Sequence, residues 1–569
     1  MKRLLQAFFV CGFMVMIVSS FANAIDLSRG ILLDIPQEKI ESQFGKMPAS
    51  QLTRQDSIEI ASFRFTADTL KVLAILVKWD NRPNTYSQAT FDSLMFSRNV
   101  FPGGSVADYF DEVSYGKAQM VGVVRDWYNA GWYTPYYDFE QLFPVLDPLI
   151  DYSQFDGNGD GDVDAVVFIR AGNGQEDSHS SSDIWSYAYV YDPGSGPGPY
   201  DGMYIPRWNT SPETQPLHNP ANPRLFTGTN ARNKIRVFAH ELSHCFGIPD
   251  LYDYDAKTDT TTFYTPGDDN DHPVNDWCIM GYYGYGLFSI GSQIPSHMCG
   301  WSKKEIGWIT PITLPPGIYN DLVIYNIETT PESSLYKVPI NLANGEYFLL
   351  EYRNPNSSGK FDKIDSDYSV FFFPALAFGG EPLDRGLLTT HVHDSLGAYY
   401  WRINYGTPDF PHYTVAIEDA GYNPYRDAYS NPGGWISDSA QWWYPYETQL
   451  AAPFSNSVSG QEVFGYATYP STRGYYGPTW ITVRVDSIVD DKLYANVRIP
   501  GPFLAGDVNN DEVVELGDVV ALISYLYKSG PPPDPLESGD VNCDGRVELG
   551  DVVYLISFLY KNGSAPGCP

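Results

Sequence analysis

The chain has 569 residues, 43% of them hydrophobic, and a formal net charge of −33. That length exceeds one compact core, so roughly two to four domains are expected, and the apolar content excludes wholesale disorder. The acidity disfavours nucleic acid and anionic membranes as partners and suits a chain that holds divalent cations.

The N-terminus, MKRLLQAFFVCGFMVMIVSSFANA, sets Lys2 and Arg3 before an apolar run from Leu4 to Val18 and ends in Ala22-Asn23-Ala24. Residues 1–24 therefore read as a secretory signal peptide cleaved after Ala24. A membrane anchor, the alternative, is disfavoured by the short run and the small-residue cleavage site. No later segment approaches the ~20 apolar residues of a bilayer span, so a secreted protein with no membrane span is expected. Residues 25–69 are polar and aperiodic, which fits a propeptide or leader; they contain no cysteine, which excludes latency through a cysteine switch.

From KVLAILVKW (Lys71 to Trp79) to about residue 311, strand-like runs such as DAVVFIRAG mix with helical ones such as NKIRVFAHELSHCFG, so an α/β domain is expected over 70–311. Within it, DGNGDGDVD sets oxygen donors at alternating positions, Asp156, Asn158, Asp160, Asp162 and Asp164, among glycines that permit tight turning. This pattern points to a calcium loop, or else to a solvated acidic loop.

The segment HELSHCFGIPDLYD carries His240 and His244 one helical turn apart, so both imidazoles can reach one ion, with Glu241 beside the first as general base. Asp250 follows Gly247 at the spacing where a third ligand stands in metzincin-like peptidases; Asp253 or a more distant carboxylate is the alternative. Met280 in DWCIMGYYGYG suits the floor of such a site, and Cys245 is turned off the histidine face.

Together with DYFDEVSYGKAQMVGVV (Asp108 to Val124), PSHMCGWSKKEIGW (Pro295 to Trp308), DIWSY (Asp183 to Tyr187), YFLLEYRN and GLLTTHVHD, this segment resembles the immune inhibitor A family of secreted bacterial metallopeptidases. The resemblance spans roughly Val72 to Ile499 and implies a metzincin-like catalytic domain, zinc held by His240, His244 and Asp250, and endopeptidase activity on protein or peptide substrates. It also implies synthesis as a precursor and a β-rich domain behind the catalytic one. Tyr282, just past Met280, is a candidate oxyanion donor or transient ligand, as in some metzincins. The stretch before Gly386 looks expanded relative to the family, and HVHD carries an extra histidine, His393, read as a surface residue or an adventitious metal site.

Over 312–500 short alternating runs rich in Tyr, Phe, Val and Thr, punctuated by Gly, Pro and Asn, point to an all-β, sandwich-like domain. The remainder, 506–569, is a duplication: GDVNNDEVVELGDVVALISYLYKSGPPP repeats as GDVNCDGRVELGDVVYLISFLYKNGSAP. Each copy sets oxygen donors in a twelve-residue loop before an apolar helix, as calcium requires. The candidate ligands are Asp507, Asn509, Asp511, the Val513 carbonyl, Glu515 and Asp518, then Asp540, Asn542, Asp544, the Arg546 carbonyl, Glu548 and Asp551.

An aspartate closes each loop, Glu512 stands at the first copy's glycine position, and a helix follows each loop but none precedes it. The duplicated pattern resembles the dockerin domain of cellulosome-type enzymes, which implies calcium-dependent folding and a cohesin-like receptor; a calcium-stabilised tail without a receptor is the alternative. The helical residues Val519, Val520, Leu522, Ile523 and Leu526 and their counterparts read as core. Outside the signal, Cys543 with Cys568 and Cys278 with Cys299 are the suggested disulfides.

The expected protein is thus a secreted zinc endopeptidase with a docking tail. Its rival is a calcium-dependent binding or scaffold component with a residual, inactive peptidase domain.

Overall fold

A computed structural model describes residues 31–33, 69–101, 104–178, 180–219, 222–251, 274, 277–281, 295–341, 345–354, 361, 385–394, 414–418, 462–465, 479–501, 503–511, 513–533 and 535–567. The signal segment, nearly all of the leader, Tyr282, Glu512 and Cys568 lie outside them.

The N-terminal unit is built on a mixed seven-stranded sheet: β1 (Ile31–Leu33), β2 (Thr69–Lys78), β3 (Gln119–Asn129), β4 (Ala165–Asn173), β5 (Tyr187–Val190), β6 (Arg207–Asn219) and β7 (Asn222–Arg232). The order is β1-β5-β6-β4-β2-β3, with β7 also on β6. Strands β3, β2, β4 and β6 run parallel, while β5 and the short leader strand β1 add antiparallel pairings at the edge.

The apolar run of β2 lacks alternation because both its faces are covered: Val72, Ala74 and Leu76 enter one core, Leu73, Ile75 and Val77 the other. Two helices, α1 (Gln88–Phe96) and α2 (Val106–Val113), pack on the first face. The Ser105 hydroxyl accepts from Asp108 N–H at 3.0 Å and Asp108 accepts from Ser105 N–H at 3.1 Å, a reciprocal cap that starts α2. On the same core lies α3 (Ile235–Ser243), which buries Ile235, Phe238, Ala239 and Leu242.

The β-rich region consists of two sheets around one core. Strands β8 (Ile312–Thr313), β10 (Leu335–Asn341), β11 (Glu346–Arg353), β12 (Gly386–His393) and β13 (Val415–Ile417) form one; β9 (Gly317–Tyr325), β14 (Val463–Gly465), β15 (Thr482–Val489) and β16 (Lys492–Ile499) form the other. Phe348, Leu350 and Leu387 of the first meet Phe464, Val483, Leu493 and Val497 of the second.

The opposite face of the first sheet faces the α/β unit. Tyr347 and Leu349 of β11, Leu388 and Val392 of β12 and Val415 of β13 share a core with Phe238, Leu242 and Met280. Every residue of β11 is buried for that reason, and the junction near residue 311 divides topologies without dividing the core.

This double coverage corrects the reading of His393 in HVHD as a surface residue: it is buried, as is His391. His391 bridges Glu346 at 3.0 Å and Glu418 at 3.2 Å, on opposite ring nitrogens. Burial lowers its pKa, but its bonds to Glu346 and Glu418 outweigh that and hold the imidazolium above its usual range. Its stabilisation is fully present below the ordinary histidine value of about 6.5 and is lost as pH rises through the raised one. Thermal stability should therefore fall as pH rises above about 6.5, and H391Q should flatten that slope; an unchanged slope in the variant would remove His391 as its source.

At the C-terminus, helices α5 (Leu516–Lys528) and α6 (Leu549–Lys561), numbered after α4 (Gly300–Ile306), pack on each other through Val519, Leu522, Val552 and Leu555. With one sister helix as its main cover, each buries one face only. Val520 and Val553 are thus about as exposed as surface residues, 60% and 59%, and not core.

Candidate metal centre

Helix α3 delivers His240 and His244, the first two candidate ligands. The helix tightens into a 3-10 turn at His244–Phe246 and stops at Gly247, whose φ of 78° suits a residue without Cβ. The chain then turns back through Ile248 and brings in Asp250. His240 Nε2 lies 3.0 Å and His244 Nε2 3.7 Å from Asp250 Oδ1. These are the three residues whose ligand atoms lie within 4.8 Å of one another, the one such group among the described residues. All three, and Glu241, are fully buried.

The outer nitrogens show what the inner ones do. His240 Nδ1 donates to Ile279 O and His244 Nδ1 to Ile248 O, each at 2.7 Å. A carbonyl only accepts, so the proton sits on Nδ1 and each Nε2 turns a lone pair towards Asp250. Burial pushes His244 down to about 4, so that ring is neutral at pH 7. Two lone pairs and a carboxylate converging in a dry site repel one another unless a cation lies between them. Tetrahedral zinc, with bonds of about 2.0–2.1 Å, sets neighbouring ligand atoms about 3.3 Å apart, a value that the two observed separations bracket. The donor set fits zinc.

A tight turn supports the centre from below. Gly281 N–H closes onto Cys278 O at 2.9 Å, Ile279 O holds the His240 ring, and Met280 O accepts from Leu251 N–H at 2.8 Å, one residue after Asp250. Met280 itself is fully buried in the same core. The sequence points to the Met280 side chain, whereas the turn meets the centre through the backbone carbonyls of Ile279 and Met280. Tyr282, the expected oxyanion donor, lies outside the described residues.

The disulfide expected between Cys278 and Cys299 is not formed: both are free, as is the core residue Cys245. Instead the Cys278 sulfur accepts from Cys299 N–H at 3.4 Å, and both thiols lie 3.5 Å from the Ser302 hydroxyl, so a hydrogen-bonded pocket takes the place of a covalent link. Cys543 is disulfide-bonded; Cys568, its expected partner, is outside the described residues. Alkylation of the denatured, unreduced mature chain should add a label at each of Cys245, Cys278 and Cys299. A mass corresponding to Cys245 alone would restore the bridge between the other two.

The loop at 156–164 sits against the start of β2. Asp164 accepts from Lys71 N–H at 2.7 Å and Gly157 N–H at 3.0 Å, and Lys71 Nζ donates to Asp156 O at 3.0 Å. A Cβ on Gly157 would stand 2.4 Å from Asp164 Oδ2, so only glycine fits there. Asp162 accepts from Gly194 N–H at 2.9 Å.

The same hydrogen bonds recur in the second C-terminal loop. Asp156 accepts from Gly161 N–H at 3.1 Å as Asp540 does from Gly545 at 3.0 Å. Asn158 accepts from Asp160 N–H at 3.1 Å as Asn542 does from Asp544 at 3.0 Å. Asp160 accepts from Asp162 N–H as Asp544 does from Arg546, both at 2.9 Å. The carboxylate that closes onto the second loop residue comes from position nine, Asp164, where the C-terminal loops use position twelve, Asp518 and Asp551.

In those C-terminal loops the closing aspartate also starts the helix. Asp518 accepts from Val508, Asn509 and Glu515 N–H, and Asp551 from Val541, Asn542 and Glu548 N–H. Glu515 and Glu548 complete the capping boxes of α5 and α6. Asp507, Asn509 and Asp511 repeat the turn bonds of Asp540, Asn542 and Asp544, with Val513 N–H on Asp511 as Arg546 N–H is on Asp544.

Residues 505–560 match the family Dockerin type I domain. The C-terminal module is therefore a dockerin, a calcium-binding docking unit, which accounts for about a tenth of the chain. No curated protein matches the sequence. Among the described residues no helix is long and apolar enough to cross a membrane.

Proposed function

We propose that the chain is a secreted zinc-dependent endopeptidase that is brought to its place of action by its calcium-dependent dockerin. The observation that carries the peptidase reading is the convergence of His240 Nε2, His244 Nε2 and Asp250 Oδ1 while both Nδ1 atoms are engaged by carbonyls.

In this reading His240, His244 and Asp250 hold the ion, and Glu241, next to His240 on α3, is the general base. Zinc, when bound, supplies Lewis acidity that acidifies water to a pKa near 7 and polarises the scissile carbonyl. Glu241 takes the proton of the attacking water and passes it to the leaving amine. The carbonyls of Ile279 and Ile248 keep both imidazoles in the ligating tautomer and orientation. Tyr282 remains the proposed oxyanion donor. The loop Asp156, Asn158, Asp160, Asp162 and Asp164 holds calcium in a stabilising role, a reading supported by the bonds it shares with a dockerin loop.

On the dockerin, Leu516, Val520 and Tyr527, and equally Leu549, Val553 and Tyr560, are exposed apolar residues. At 3.6 residues per turn each trio lies within about 40° of arc on its helix, a stripe suited to a cohesin-like receptor.

The decisive experiment is casein hydrolysis by the mature chain with chelator and after zinc is restored. Hydrolysis that chelation abolishes and zinc recovers supports the reading. A zinc-loaded, propeptide-free chain that cleaves nothing while the tail binds a receptor makes it a docking component with an inactive domain.

A further inference from the structure

We propose that Arg353, at the end of β11 in the β-sandwich, is a positioning residue for the metal centre of the α/β unit. Arg353 is fully buried. Its Nη1 donates to Trp277 O at 3.0 Å and to Glu351 at 3.0 Å, its Nε to Glu328 at 3.0 Å, and its guanidinium stands 5.4 Å from the centre of the Trp277 ring. Glu351 in turn accepts from Gly300 N–H, the first residue of α4, and Glu328 from Asn354 N–H. Two segments of the α/β unit are thus gripped from the sandwich through one charge network.

The gripped carbonyl belongs to the residue just before the turn that supports the centre. Trp277 leads into Cys278–Gly281, where Ile279 O orients the His240 ring and Met280 O fixes Leu251 beside Asp250. Two of the three ligands are therefore set by a turn whose preceding residue, Trp277, is held by Arg353. The planar guanidinium is suited to this because it donates in fixed, divergent directions to a carbonyl and two carboxylates at once, which an ammonium does less well. The sandwich completes the metal centre: an α/β unit alone, residues 70–311, lacks the group that seats the turn.

The inference rests on the zinc reading above, and the test separates the two. In the full mature chain, zinc affinity is measured by competition with a chromophoric chelator, ligand geometry by the visible spectrum of the cobalt(II) form, and folding by far-ultraviolet circular dichroism. R353M should weaken zinc binding by about 10–100-fold and alter the cobalt spectrum with the fold retained; R353K should lie between it and wild type.

Because R353M strands two buried carboxylates, R353M/E328Q/E351Q removes their charge as well and carries the test if the single variant does not fold. A folded variant lacking the guanidinium but with wild-type zinc affinity and cobalt spectrum overturns the role of Arg353 and leaves the zinc centre standing. Wild-type protein that binds neither ion overturns both.

Discussion

Glu241→Gln should lower peptide hydrolysis by about 10²–10⁴-fold while leaving zinc stoichiometry unchanged. Glu241 belongs to α3 between His240 and His244 and is fully buried. Glutamine keeps the volume and one carbonyl oxygen, so the packing of α3 survives, but an amide does not take a proton from water. The measurement is turnover on casein beside metal content. A variant as active as wild type would move the base elsewhere, and a variant that has lost its zinc would make Glu241 part of the metal-holding structure.

Asp551→Ala should unfold the dockerin at calcium concentrations that saturate the wild-type module. The fully buried Asp551 carboxylate accepts from Val541, Asn542 and Glu548 N–H at 2.9, 3.3 and 2.7 Å, closing the loop and capping α6 at once. Leaving the buried Val541 N–H unpaired costs about 1–3 kcal/mol, and the two part-buried donors lose their partner as well. At about 0.05–0.15 kcal/mol per residue, a module of this size has roughly 3–8 kcal/mol in all, so the loss is a large fraction of its stability before calcium is considered. Hydrogen exchange of α6 in the full chain, with and without calcium, reports the outcome. Asp518→Ala should do the same to α5. Full protection of α6 in the Asp551 variant would show that the loop is held by other groups.

Much of the organisation is legible in the residues alone because it rests on local chemistry. The two twelve-residue loops of the tail, their capping boxes and the spacing of His240 and His244 along one helix face depend on neighbours close in sequence. The alternating oxygens of 156–164 likewise form a turn from their own backbone amides.

The readings that needed correction depend on what lies across from a residue. His393, an extra histidine relative to the family, reads as a surface residue, yet a sandwich face pressed against the α/β unit buries it together with His391. Val520 reads as core because its helix is apolar all round, yet a two-helix module has one interior face. Cys278 and Cys299 read as a disulfide because they lie near each other in an oxidised chain, yet Ser302 and a backbone amide occupy their sulfurs.

The metal centre divides the same way. Periodicity alone determined that His240 and His244 share a face and that Glu241 stands beside them, since a helix repeats every 3.6 residues whatever surrounds it. Asp250, close behind both rings in the chain, is already marked by its spacing, but the hold of Ile279 O on the His240 ring and the reach of Arg353 across the sandwich join residues far apart in the chain. Tertiary structure alone decided those, because side-chain direction at a turn and contact between two sheets follow from packing, which no short-range pattern encodes.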